Sequence, residues 1–235
     1  MKRTRGFTLI ELAIVLVIVT ILIGGLAVPL SAQIQARRIA ETQRTLNDAR
    51  EALIGYAMTN TNAAGQPYLP CPNRNGDGKE GLRELNDKCV EPEGYLPWVT
   101  LGTAAQDAWG NRLLYSVTEG FAKKNTGLQN TDSGDRQICS ASSNTDPPND
   151  CAALKYVAEN VPVVILSHGP NGWGAHSIHD TNMAPPPTTN TDEWENTNGD
   201  KKFVSRTPSD DFDDLVTWIS ADQLRGRICP PGGCP

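Results

Sequence analysis

The feature that most limits what this chain can become is its start: MKRTRGFTLIELAIVLVIVTILIGGLAVPLSAQ. Lys2, Arg3 and Arg5 precede an apolar run in which, from Leu12 to Leu30, Thr20 is the one polar side chain. As a helix, Phe7 to Leu30 would be roughly 36 Å long, enough to cross a hydrocarbon core of about 30 Å. Basic residues on the leading side predict that the N-terminus stays in the cytoplasm and the rest of the chain faces outward. An ordinary secretory signal peptide fits poorly, because Leu30-Ser31-Ala32 puts Leu where cleavage wants a small residue. A plain signal anchor fits poorly too. Glu11 sits in the apolar run, where a carboxylate costs on the order of 2.5–3.5 kcal/mol or more, and a mere anchor has no use for it.

Basic residues, then Gly6, Phe7, Thr8, Leu9, Ile10 and Glu11, then an apolar helix, resemble the class III signal of type IV pilins and type II secretion pseudopilins. The resemblance implies that a prepilin peptidase cuts after Gly6 on the cytoplasmic side and that Phe7 becomes the methylated first residue. It also implies that Glu11 is the assembly glutamate. A physical account fits: inside a filament a buried carboxylate can pair with the N-terminal ammonium of a neighbouring subunit, so that neither charge is left alone. Gly24-Gly25 and Pro29 loosen the helix, since proline removes a backbone donor. A tolerated membrane kink and a point of local melting on assembly are both open readings of Pro29.

The helical pattern continues past the apolar run. Ile39, Leu46, Ala49, Leu53 and Tyr56 recur at helical spacing, with Arg37, Arg38, Glu41, Arg44, Asp48, Arg50 and Glu51 on the other face. The expected organisation is therefore a leader at 1–6, a transmembrane and assembly helix at 7–30, its amphipathic continuation at 31–58, and a periplasmic or extracellular globular domain at 59–235. Within that domain, Arg112–Thr118, Val161–Ser167 and Leu215–Ser220 have strand character. Segments 59–107, 119–154 and 168–213 read as loops rich in Asn, Thr, Asp, Gly and Pro. The predicted fold class is α+β and pilin-like: a long N-terminal helix on a small antiparallel sheet, with long disulfide-bearing loops.

Two local motifs also resemble the major pseudopilin. DAWGNRLLYSV (Asp107–Val117) is similar to its D-P-W-G-N-x-Y-x-Y stretch. VILSHGPNGWG at 164–174, followed by DDFDDLVTWIS at 210–220, is similar to its glycine loop and its acidic turn before a Trp-bearing strand. The chain departs by long insertions and extra cysteines, which leaves major and minor subunit both open. In that family the corresponding loop binds calcium, which makes Asp210, Asp211, Asp213 and Asp214 candidate ligands, with turn carbonyls around Ser167–Gly172. Period-two spacing favours Asp211 with Asp213. Hard carboxylate oxygens suit calcium, although an acidic solvated turn would carry the same residues. A second candidate is NRNGDGKEGLRE, where Asn73, Asn75, Asp77 and Glu84 fall at EF-hand positions one, three, five and twelve; a plain polar turn is the alternative.

Cys71, Cys89, Cys139, Cys151, Cys229 and Cys234 all follow the apolar run. An even set in a translocated domain reads as disulfides in an oxidising compartment, although several connectivities are open. Pairing each cysteine with its nearest neighbour closes a short polar loop every time. Zinc or free thiols is the other reading, and no C-x-x-C spacing supports it. His168, His176 and His179 belong to no recognisable catalytic set, and no enzymatic activity is expected.

Composition narrows the partners. Of 21 basic residues, removing Lys2, Arg3 and Arg5 leaves 18 against 27 acidic ones, a net charge near −9. Aromatics are 6% of the chain. That surface argues against nucleic acid. The expected partners are other pilin-like subunits, the prepilin peptidase, an inner-membrane assembly platform and, before assembly, membrane lipid. The expected place is the bacterial inner membrane as a single-pass protein, then a filament of a type II secretion system or a type IV pilus. A membrane-anchored binding protein or adhesin using the long loops is the alternative.

Overall fold

The computed structural model describes residues 8–142, 151, 156–229 and 234, with the side chains of 24–29 excepted. Gly6 and Phe7 lie outside the described residues. The chain is α+β, with one long N-terminal helix, a small antiparallel sheet and a second, smaller sheet. Its residues divide into two compact units, 1–40 and 41–235.

Helix α1 runs Leu9–Thr59. Its first turn is closed by a reciprocal pair of hydrogen bonds. Thr8 N–H donates to Glu11 Oε2 at 2.9 Å, and Glu11 N–H donates to Thr8 Oγ1 at 3.3 Å. This is a capping box, in which each side chain satisfies a backbone donor that helix geometry leaves unpaired. In the first unit Leu9, Ile10, Leu12, Ile14, Val15, Leu16, Val17 and Ile18 are exposed. Among the described residues no helix is long and apolar enough to cross a membrane; residues 24–29, in the predicted span, are helical but their side chains fall outside the description.

In the second unit α1 turns amphipathic. Thr42, Leu46, Ala49, Leu53, Ile54 and Ala57 are buried at spacings of three and four, while Glu41, Arg44, Asp48 and Glu51 face solvent. Burying each Leu or Ile contributes about 1.5–3 kcal/mol. Ile39 and Tyr56 of the predicted stripe are half-buried at its margins.

The larger sheet contains β1 (Glu93–Tyr95), β2 (Leu114–Val117), β5 (Val163–Ser167) and β7 (Leu215–Ile219), in the order β1-β2-β5-β7 and antiparallel throughout. The last three lie within the stretches predicted as strands. Every residue of β5 is buried, which is why it reads as an unbroken aliphatic run rather than an alternating one. One face presents Tyr115, Val117, Val163, Ile165 and Ile219, all buried. On the other face Leu114, Val164, Leu166, Val216 and Trp218 pack with Ile138, Val161 and Phe203 of the second sheet.

That second sheet joins β3 (Arg136–Cys139), β4 (Tyr156–Val161) and β6 (Lys202–Val204) in the order β4-β3-β6. Its strands and the short helices α2 (Trp98–Leu101), α3 (Glu119–Ala122) and α4 (Thr191–Glu195) fall in or beside segments read as loops. Three disulfides join sequence neighbours: Cys71–Cys89, Cys139–Cys151 and Cys229–Cys234. No free cysteine remains.

Candidate functional site

Three motifs converge at the end of the larger sheet. Asp107 opens the DAWGN turn, where one carboxylate oxygen accepts from the N–H groups of Trp109 and Asn111, both at 2.9 Å. Its other oxygen accepts from Ser167 Oγ at 2.7 Å, which ties this turn to the last residue of β5. The chain then enters the glycine loop. Gly169 has φ +57, and a Cβ there would lie 2.2 Å from the Asp213 carbonyl oxygen. Glycine is required on both counts, and it lets the loop lie directly against the acidic turn before β7.

Glu193, Asp213 and Asp214 meet there. One carboxylate oxygen from each lies within 4.8 Å of the others. Glu193 comes from α4, placed by the Asn190 cap, whose Oδ1 accepts from Glu193 N–H at 3.3 Å. The glycine loop supplies Asn171. Its Nδ2 donates to both Glu193 oxygens at 3.1 Å, and its N–H donates to Asp213 Oδ2 at 3.0 Å. Asn196 Nδ2 donates to Asp214 Oδ2 at 2.7 Å. Asp213 Oδ1 is buried and has no hydrogen-bond partner.

The electrostatics follow from this crowding. Burial, with Glu193 nearby, pushes the Asp213 carboxyl up to about 6. Burial likewise raises Asp214 well above the carboxylate range. His168 is buried beside it, with Nδ1 3.8 Å from Asp214 Oδ1, too far for a hydrogen bond. Burial lowers His168 to about 4, so it is neutral at neutral pH and does not offset the acidic group. Three carboxylates, one of which has the orphaned buried oxygen, form an all-oxygen donor set, which suits a hard divalent cation.

The predicted site residues divide accordingly. Asp213 and Asp214 enter the group. Asp211 turns outward to Arg206 at 3.2 Å and Ser209 Oγ at 2.6 Å, and Asp210 is exposed. Period-two spacing does not hold here because β7 starts only at Leu215, and the preceding turn sends Phe212 inward and Asp213 and Asp214 to one side. Glu193, which the sequence reading did not single out, completes the set. The Asn-x-x-Glu spacing of Asn190 and Glu193 marks a helix start, but nothing in the sequence brings that helix to residue 213.

The EF-hand-like residues are engaged locally. Asn73 Nδ2 donates to Asp77 Oδ1 at 2.7 Å, Asn73 Oδ1 accepts from Gly76 N–H at 2.9 Å, and Glu84 accepts from Asn86 at 3.0 Å. Neither Asp77 nor Glu84 belongs to a group of converging metal-binding side chains among the described residues. His176 and His179 lie in the loop beyond, apart from the acidic group.

No curated protein and no solved structure matches the chain. Residues 1–27 match the family model described as the prokaryotic N-terminal methylation motif, and the head of this chain is therefore the class III signal of type IV pilins and pseudopilins.

Proposed function

We propose that this chain is a structural filament subunit, a pseudopilin or minor pilin of a type II secretion pseudopilus or type IV pilus. The observation that carries the reading is the methylation motif over residues 1–27 with Glu11 inside its apolar run. Prepilin peptidase cuts after Gly6, and the 7–30 segment holds the chain in the inner membrane with the globular domain outside. Other subunits and an inner-membrane platform then draw it into the filament. The exposed apolar face of α1 supports this, because Ala13, Ile14, Val17 and Ile18 outline a shallow, wholly apolar depression suited to a neighbouring helix. The Thr8–Glu11 capping box satisfies the Glu11 carboxylate before assembly; in the filament it turns to the amine of a neighbour's Phe7.

Calcium belongs to the same proposal. Glu193, Asp213 and Asp214 would hold it, supplying the oxygen ligands and negative charge that it needs. Its part is structural: it neutralises the group and pins the acidic turn, the glycine loop and α4 together. Residues 73–84 are better read as a turn closed by its own hydrogen bonds and the Cys71–Cys89 bridge.

Glu11→Gln tests the assembly step apart from processing. Co-expressed with the peptidase and platform of its own system, the variant should be cleaved normally yet fail to enter sheared filaments. Wild-type incorporation by this variant would contradict the role of Glu11.

A further inference from the structure

A cavity of about 340 Å³ is lined by Arg74, Glu93, Tyr95, Arg112, His168 and His176. It is large enough for a group the size of an amino acid or a monosaccharide. Arg112 is its fixed element. The guanidinium is 4% exposed and lies 5.1 Å from the Tyr95 ring centroid and 5.4 Å from that of Trp98. One of its nitrogens lies 3.3 Å from His176 Nδ1, and the other donates to the Gly76 carbonyl at 3.3 Å. So held, the charge cannot follow a ligand or retreat into water, and it is pre-oriented for a carboxylate.

A carboxylate already occupies that orientation. Arg112 donates to Asp180 Oδ1 at 2.7 Å, yet the Asp180 side chain is 76% exposed. Asp180 sits at φ +61 in the tight turn formed by Ser177 and Thr181, and it reaches in from the surface. Arg74, on the same cavity wall, is held among the described residues by an exposed contact with Glu91 at 3.3 Å. Pairs of that kind contribute about 0–1 kcal/mol, so Arg74 is free to turn to a ligand. Glu93 sets the limit on charge: as an acidic lining residue it opposes a doubly charged group more than a singly charged one.

We propose that this cavity binds a single carboxylate on a small ligand, seated between Arg112 and Arg74, with Asp180 as the internal carboxylate that the ligand displaces. The inference is independent of the filament reading, since it rests on other residues and either could fail without the other.

The test is a saturation-transfer NMR titration of the full-length chain in detergent micelles with glucuronate, N-acetylalanine and inorganic phosphate. Replacing Arg112, packed between two rings, would risk the fold, so the variants are taken at the exposed Asp180 and Arg74. Asp180→Asn removes the competitor and should tighten carboxylate binding about tenfold. Adding Arg74→Ala should remove most of that gain. Preference between the two carboxylates distinguishes a sugar acid from a peptide acid, and binding of either supports the site. Unchanged affinity in Asp180→Asn, full affinity without Arg74, phosphate bound as tightly as the carboxylates, or no binding to wild type or Asp180→Asn would overturn it.

Discussion

Asp213 N–H donates to Glu193 Oε1 at 2.9 Å across twenty residues of chain. This bond, more than the local run of aspartates, builds the acidic group, because it brings α4 against the turn before β7. If the group holds calcium, the ion should stabilise the folded state by mass action. At a hundredfold excess over Kd the gain is about 2.7 kcal/mol, and for a domain of this size Tm should rise roughly 2–4 °C per kcal/mol. Thermal melts with calcium and with chelator should differ for the wild type and coincide for Glu193→Gln. Equal melts in the wild type would remove the calcium proposal.

Gly169 and Gly55 should respond oppositely to the same change. Gly169→Ala places a Cβ 2.2 Å from the Asp213 carbonyl oxygen at φ +57, and should cost about 1–3 kcal/mol and blunt the calcium response. Gly55 lies within α1 with nothing within 4 Å of an added Cβ, so Gly55→Ala should stabilise by about 0.5–1 kcal/mol. Denaturant titration of the two variants checks both signs.

Glu195 predicts a pH dependence. Burial, with Asp200 nearby, pushes its carboxyl from 4.5 up to about 7. The folded state therefore holds this proton more tightly than the unfolded state. The stabilisation is fully present below pH 4.5 and is lost as pH rises to about 7. His168 runs the other way: lowered from 6.5 to about 4, it favours the fold above pH 6.5 and loses that contribution as pH falls towards 4. Comparison with Glu195→Gln isolates the glutamate. With chelator present, the wild type should lose on the order of 1–3 kcal/mol relative to the variant between pH 4.5 and 7. A constant difference would refute the assignment.

The disulfides should differ in worth with the loop each closes. Their sequence separations are 18 for Cys71–Cys89, 12 for Cys139–Cys151 and 5 for Cys229–Cys234. Chain-entropy arguments give about 3 kcal/mol for the first two and about 2 kcal/mol for the last. Paired Cys→Ser variants compared by denaturant unfolding should show the smallest loss at Cys229/Cys234.

The helix and the strands β2, β5 and β7 were legible in the sequence because their burial is written in residue type. Leu46, Ala49 and Leu53 keep helical spacing, and Val163–Ser167 is buried on both faces. The second sheet was not legible. Its strand β4 buries only Val161 of Tyr156–Val161, with two consecutive exposed residues, Glu159 and Asn160, before it, and β6 is three residues long within polar text. Of the acidic group, Asp213 and Asp214 could be read from carboxylate density. Glu193 could not, since only the folding of α4 onto the turn brings it there. Asp180 was hidden for the same reason, its meeting with Arg112 spanning 68 residues.

Intact mass measurement tests cleavage after Gly6 and methylation of Phe7 most directly. The full chain is expressed with and without a prepilin peptidase, and the protein is weighed. Processing predicts a product that begins at Phe7 with one added methyl group, formed only when the peptidase is present. An uncut chain in both cultures, or a cut after Ala32, would contradict the account.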